Sequence, residues 1–310
     1  MRPGPEESNV PRGHIEPTAC SVECSERAPP NDSVQHAPQT DRGTTVATHE
    51  QPDFELMRKT ERAMASNLRD FVATNHRLLP QVGAACVDFA GGVAAFNGMG
   101  SPLSTVKGTG PQISAGDLAE AEAFFRAHGA AAVVIEAAPW LTEESISALG
   151  AGGYEVAGTE DVVAATAGVA PGKDLRGDAF HVGTVPLAEW PELMRRSYEL
   201  PDEPAARELV AAAAHLPGAH LYGIRDNERW IACAQSIAYD DVVIFGCDGT
   251  LPDARGRGAQ MTLIAARLKA VQAGKVVVAE VAPGSGSERN YLRSGFQIAY
   301  TRAHYIRSLS

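Results

Sequence analysis

The chain has 310 residues, 44 % of them apolar, which exceeds the needs of one small domain and is enough to bury two cores. Its formal net charge of −11 argues against a nucleic-acid partner held through phosphates, because that mode needs a clustered basic face. No apolar run reaches the length of a membrane span, and the first residues lack the apolar stretch of a secretory signal, so the expectation is a cytoplasmic protein with no membrane partner.

Residues 1–52 are rich in Pro, Ser, Thr and His and hold almost no periodic hydrophobics. Such a segment buries too little apolar surface to offset ordering entropy, which predicts a disordered tail. Cys20, Cys24, Cys86, Cys233 and Cys247 make an odd count without framework spacing, and no disulfide is expected. Cys20 and Cys24 lie near His14 and His36, but no complete set of zinc-spaced ligands results, so no metal is expected.

From Phe54 to Leu79 the apolar residues recur at helical spacing. Cys86–Phe89 and Val93–Phe96 flank Ala90-Gly91-Gly92 as a hairpin, and Asp117–His128 reads as a helix ending at Gly129. Ala132–Glu136 is a predicted strand, Glu143–Leu149 a short helix and Tyr154–Ala164 a strand. After a Gly/Pro/Asp-rich link at 168–178 a second pass begins. His181–Val185 is a strand, Leu187–Tyr198 and Glu203–Ala214 are helices, and Leu221–Ile224, Trp230–Ala238 and Val242–Gly246 are strands. Gln260–Gln272 is an amphipathic helix with Met261, Ile264, Leu268 and Val271 on one face. Val276–Val281, Ser287–Arg293 and Gln297–Ile306 follow as strand, helix and strand.

The two passes look like copies. Val133-Val134-Ile135-Glu136-Ala137-Ala138-Pro139 parallels Val277-Val278-Ala279-Glu280-Val281-Ala282-Pro283, and Gly153-Tyr154 parallels Gly295-Phe296. The expected organisation is a tail (1–52), a first unit (53–170) and a second unit (175–310).

The sharpest chemical signal is the run Thr250-Leu251-Pro252-Asp253-Ala254-Arg255-Gly256-Arg257-Gly258-Ala259-Gln260 between a strand and an amphipathic helix. Glycines there let main chain approach an anion, and the helix that follows points its free N–H groups and positive dipole end at the same place. A pyrophosphate suits that geometry. The run is neither a P-loop nor a dinucleotide fingerprint.

Arg255-Gly256-Arg257-Gly258-Ala259, followed by Tyr291-Leu292-Arg293-Ser294-Gly295-Phe296, resembles the signature of the GNAT acyltransferase superfamily over about residues 180–310. Gln260 departs from the motif, standing where Gly or Ala is usual. The resemblance implies an α/β chain of two tandem GNAT-like domains, each a mixed, mostly antiparallel sheet flanked by helices. The first unit, whose equivalent loop is Lys107-Gly108-Thr109-Gly110-Pro111, is then a degenerate copy without cofactor binding, since Pro111 removes an N–H donor.

It further implies an acetyl-CoA-dependent N-acetyltransferase in which an amine attacks the thioester directly within a ternary complex, with acetyl-CoA as co-substrate. Gly249, Thr250, Leu251, Arg255, Gly256, Arg257, Gly258, Ala259, Gln260 and Asn290 are then the candidate cofactor-binding residues. Tyr291 is the candidate acid for the departing thiolate and Glu280 the candidate base, ahead of Asp248. Glu280 has a counterpart in Glu136 of the copy lacking the loop, which equally suits a structural role. The acidic linker Glu199-Leu200-Pro201-Asp202-Glu203 fits a cationic acceptor, a small-molecule or peptide amine, and fits a solvated turn as well. The alternative function is an acyl-CoA-binding sensor or interaction protein without turnover.

Overall fold

The computed structural model describes residues 53–168 and 180–309. The expected tail, with Cys20, Cys24, His14 and His36, and most of the 168–178 link lie outside the described residues.

The first half comprises α1 (Phe54–Leu78), β1 (Ala85–Phe89), β2 (Gly92–Phe96), β3 (Thr105–Lys107), α2 (Ala115–Ala127), β4 (Ala132–Ala137), α3 (Glu143–Ala151) and β5 (Glu155–Thr166). The second comprises β6 (His181–Thr184), α4 (Trp190–Ser197), α5 (Pro204–Ala214), β7 (His220–Asp226), β8 (Arg229–Tyr239), β9 (Val242–Thr250), α6 (Ala259–Ala270), β10 (Val276–Val281), α7 (Gly286–Arg293) and β11 (Gln297–Ser308). Local chemistry sets many of the boundaries. Asp53 caps α1 by accepting from the N–H groups of Glu55 and Leu56, and the β1–β2 turn places Ala90 and Gly91 at positive φ, the twist a two-residue hairpin requires.

All strands join one sheet in the order β1-β2-β3-β4-β11-β5-β10-β9-β8-β7-β6. The last strand of each half has crossed into the other: β11 lies between β4 and β5, while β5 lies between β11 and β10. An approximate two-fold relation therefore runs between β5 and β11. It equates β4 with β10 and β3 with β9, the two neighbouring pairs that run parallel, and every other pairing is antiparallel.

Alternate residues of the central strands face two helical layers, as period-two side-chain alternation dictates. Val163, Val277 and Ala279 pack with Ile264 of α6 and Tyr291 of α7, whereas Val162, Val278 and Tyr300 pack with Met57 and Met64 of α1. The helices α4 and α5 share a core with the C-terminal part of α1, and α2 packs on β4 near α3.

Candidate acyl-CoA site

The strands β9 and β10 pair over Val242–Ile244 and Val276–Val278 and then separate. Beyond that point β9 stays on β8 as far as Thr250 through a bulge, where Cys247 takes φ 55. A bulge adds a residue to one strand and turns it, so it accounts for β9 bending away from β10. Gly249 permits the next contact: a Cβ there would come within 2.6 Å of the Ser197 Cβ, so only glycine lets the end of α4 rest on this strand.

After β9 the chain enters α6 through Gly256 (φ 74) and Gly258 (φ 84), both in the left-handed region that glycine adopts without strain. Gly258 precedes the helix and offers no capping side chain. Among the described residues, the N–H groups of Gly256 through Met261 donate to no protein acceptor, and the first amide engaged is that of Thr262, to the Gly258 carbonyl at 3.1 Å. Consecutive unpaired amides at the positive end of a helix form an anion cradle. A cavity of about 460 Å³ adjoins it, lined by Asp226, Arg229, Asp253 and Arg257 among others.

The side chains around the cradle mostly hold the loop in place. Arg255 bonds the carbonyls of Thr250 and Ser197 at 3.2 and 3.1 Å and pairs with Glu199 at 2.5 Å. Arg257 pairs with Asp226 at 2.7 Å. Gln260 donates to Ser287 and accepts from Asn290, both at 2.8 Å, so the residue departing from the motif clasps α6 to α7. Leu251 differs from expectation: its side chain is buried in the core and its N–H donates to the Ile231 carbonyl at 2.9 Å, which leaves no donor for a ligand. The acidic linker is largely neutralised, since Glu199 meets Arg255 and Asp202 meets Arg207 at 2.7 Å.

Beneath the cleft lies a buried trio. The Tyr291 hydroxyl donates to Asp248 Oδ2 at 2.6 Å, the Arg267 guanidinium pairs with Asp248, and Arg267 also stands 3.4 Å from the tyrosine oxygen. Burial raises the Asp248 pKa against the opposing pull of Arg267, and burial together with Asp248 raises that of Tyr291 well above its ordinary value. Helical spacing does not single out Arg267. The buried stripe of α6 runs through Leu263, Ile264 and Arg267 rather than along Met261 and Leu268, and a charge inside an apolar stripe signals a partner that spacing cannot identify.

Glu280 belongs to another cluster. It accepts from Lys107 at 2.8 Å and from Arg302, and against the upward push of burial these two cations hold its pKa at about 2. A carboxylate held there takes up almost no proton at neutral pH, so the structure corrects the base assignment in favour of a structural ion pair. Its counterpart Glu136 meets the same Lys107 at 2.8 Å.

The equivalent loop of the first half is finished differently. Ser114 and Asp117 form a reciprocal capping box at the start of α2, Ile113 N–H donates to the Ser145 hydroxyl at 2.8 Å, and Gly110 N–H donates to the Ala90 carbonyl at 2.7 Å. Trp140, which occupies the position of Gly284, donates from Nε1 to the Thr109 carbonyl at 3.1 Å and ties the β3 and β4 sides together.

No family model matches the sequence, and no curated protein matches it. Solved structures do. The tandem GNAT protein from the clavulanic acid biosynthesis pathway superposes with a TM-score of 0.56 at 14 % identity, over 78 % of this chain and 88 % of its own. The fold is that of a tandem GNAT protein. A GCN5-related N-acetyltransferase from Kribbella flavida gives 0.52 at 17 % identity, over 77 % of this chain and 94 % of its own. Within the tandem GNAT fold, the parted strands and the uncapped helix occur together in the second half.

Proposed function

We propose that this chain is an N-acetyltransferase that takes the acetyl group of acetyl-CoA to a primary amine of a small molecule or peptide, with the reaction centred in the second half. The observation that carries the reading is the run of unpaired amides from Gly256 to Met261 beside parted strands, a place suited to a diphosphate.

Acetyl-CoA supplies an activated thioester; the nitrogen of the neutral amine forms the new bond to carbon while the carbon–sulfur bond breaks, the thiolate takes a proton from the protein, and the proton shed by nitrogen goes to bulk solvent, from which the donor is reprotonated. Tyr291 is the proton donor in this scheme. Burial and Asp248 oppose its loss of a proton, and Arg267, whose guanidinium stands 3.4 Å away, partly offsets them by stabilising the phenolate, while Asp248 holds the ring in position. Release of thiol from acetyl-CoA with a panel of amines tests the reading. Turnover that falls about a hundredfold in Tyr291→Phe, with acetyl-CoA affinity retained, supports it; absence of both turnover and acetyl-CoA binding rejects it.

A second reading, an acyl-CoA sensor without turnover, is favoured by the 1 % exposure of Tyr291 and its bond to Asp248. Tight acetyl-CoA binding with no turnover on any amine, and unchanged binding in Tyr291→Phe, would select it.

A further inference from the structure

Where the two halves meet, three adjacent strands bring three donor atoms together. Glu136 of β4 and His304 of β11 are cross-strand partners, and Glu160 of β5 lies diagonally from His304, two residues beyond its partner Gly158. One carboxylate oxygen of each glutamate and one ring nitrogen of His304 all lie within 4.8 Å of one another. The Glu136 and Glu160 side chains are only 9 % and 5 % exposed. His304 Nε2 is buried without a hydrogen-bond partner, and Glu160 Oε2 stands 4.0 Å from it, beyond hydrogen-bonding distance. Glu136 Oε2 also accepts no hydrogen bond, although Lys107 Nζ lies 2.8 Å away.

The local charge calls for a cation. Glu61, Glu136, Glu160 and Glu280 form one ion-pair network with Lys107 and Arg302, and with all four carboxylates ionised two negative charges are left over. Excess charge in a buried place is costly, and a divalent ion cancels it. Lys107 and Arg302 fix the glutamates from outside, as groups around a metal's ligands commonly do. Gly158 leaves room beside the imidazole: a Cβ there would meet only His304 Nδ1, at 4.0 Å. With its proton on Nδ1 at that open side, the ring presents the Nε2 lone pair inward. The His304 side chain is 12 % exposed, so an ion enters past the ring edge.

We propose that Glu136, Glu160 and His304 bind a divalent transition-metal ion, such as zinc, that clasps β11 to the first half. Two carboxylate oxygens and an imidazole nitrogen suit such an ion and leave a fourth position for water. Atoms at most 4.8 Å apart share a point no more than roughly 2.8 Å from each, so a contraction of roughly 0.7 Å reaches the metal–ligand distance of about 2.1 Å. The site is structural and does not depend on acetyl transfer.

Calorimetric titration of Zn²⁺ into the full chain near neutral pH tests it, with Cys20→Ser and Cys24→Ser introduced so that those thiols do not compete. A saturable site with a Kd of about 10 μM or tighter is expected, and bound Zn²⁺ should raise the thermal midpoint. His304→Gln and Glu160→Gln should each weaken that site by about tenfold or more. Glu160→Gln keeps the size and shape of the side chain, so it decides the matter if His304→Gln does not fold. Absence of such a site, or a loss of less than about tenfold in a folded variant, overturns the proposal.

Discussion

From β1 and from β7 onward the two halves of the molecule share an order of elements, and within that shared part they differ at the start of one helix. In the first half the main chain entering α2 is spent internally, through the Ser114–Asp117 capping box and the bond from Ile113 to Ser145, and Pro111 offers no donor. In the second half the main chain entering α6 is left unspent from Gly256 to Met261. A capping side chain stabilises its helix by roughly 1 kcal/mol, so an uncapped N-terminus gives up that stability and keeps its donors for an anion. The same contrast recurs one element later, where Trp140 ties the first cleft together, whereas at Gly284 an added Cβ would meet nothing within 4 Å and the second cleft stays open. In the first half protein atoms take the hydrogen bonds that the second half leaves unmade.

Separating the halves is the most severe way to break this comparison. Residues 53–168 alone leave β4 without β11, and residues 180–310 alone leave β10 without β5, so neither piece should give a cooperative thermal transition, while co-expression of both should restore one. Two pieces that each melt cooperatively would show the exchanged strands to be dispensable.

Next in size is the cradle itself. Gly258→Val places a branched side chain at φ 84, and acetyl-CoA affinity measured by calorimetry should fall more than about tenfold. Affinity within twofold of wild type would mean that the amides do not hold the cofactor.

The seam between the halves offers a third test. Glu160 of β5 and Arg302 of β11 are equivalent positions in the two copies and also cross-strand neighbours. Burial, reinforced by Glu280, pushes the Glu160 pKa up to about 8. A folded-state value above the unfolded one means that the folded chain binds the extra proton, so this group costs stability as pH rises from the ordinary carboxylate range through 8. Glu160→Gln should match wild type in free energy of unfolding by denaturant titration near pH 5 and exceed it near pH 9, by an amount on the order of a few kcal/mol. A difference independent of pH would remove the titration from the account.

The smallest expected effect sharpens the contrast directly. Ser114→Ala should lower stability by about 1 kcal/mol in denaturant titration and leave acetyl-CoA affinity unchanged, because the cap it removes belongs to the half already closed.

Much of this architecture is legible in the residues. Alternation and helical spacing locate the major elements, the glycines around Arg257 locate the cradle, and the Glu136 and Glu280 segments expose the repeat. The three-residue β3 is too short to carry a period. Exchange of β5 and β11 leaves no trace in sequence, because the alternation along a strand reports which side chains face the core and not which neighbouring strand takes its hydrogen bonds. The buried charges are equally silent: Arg267 meets Asp248 and Arg302 meets Glu61 across long stretches of chain, and only the fold brings each cation to its carboxylate. Glu280 is visible as a carboxylate near the cleft, but the Lys107 that fixes its charge comes from the other half.

The exchanged strands also constrain the order in which the molecule can be completed during synthesis. The β4 edge emerges early and its N–H and C=O groups have no strand partner on that side until residues 297–308 are made. From residue 137 until residue 297 is added the nascent chain carries that edge without its final partner, the kind of edge at which a chain can mispair with a second copy.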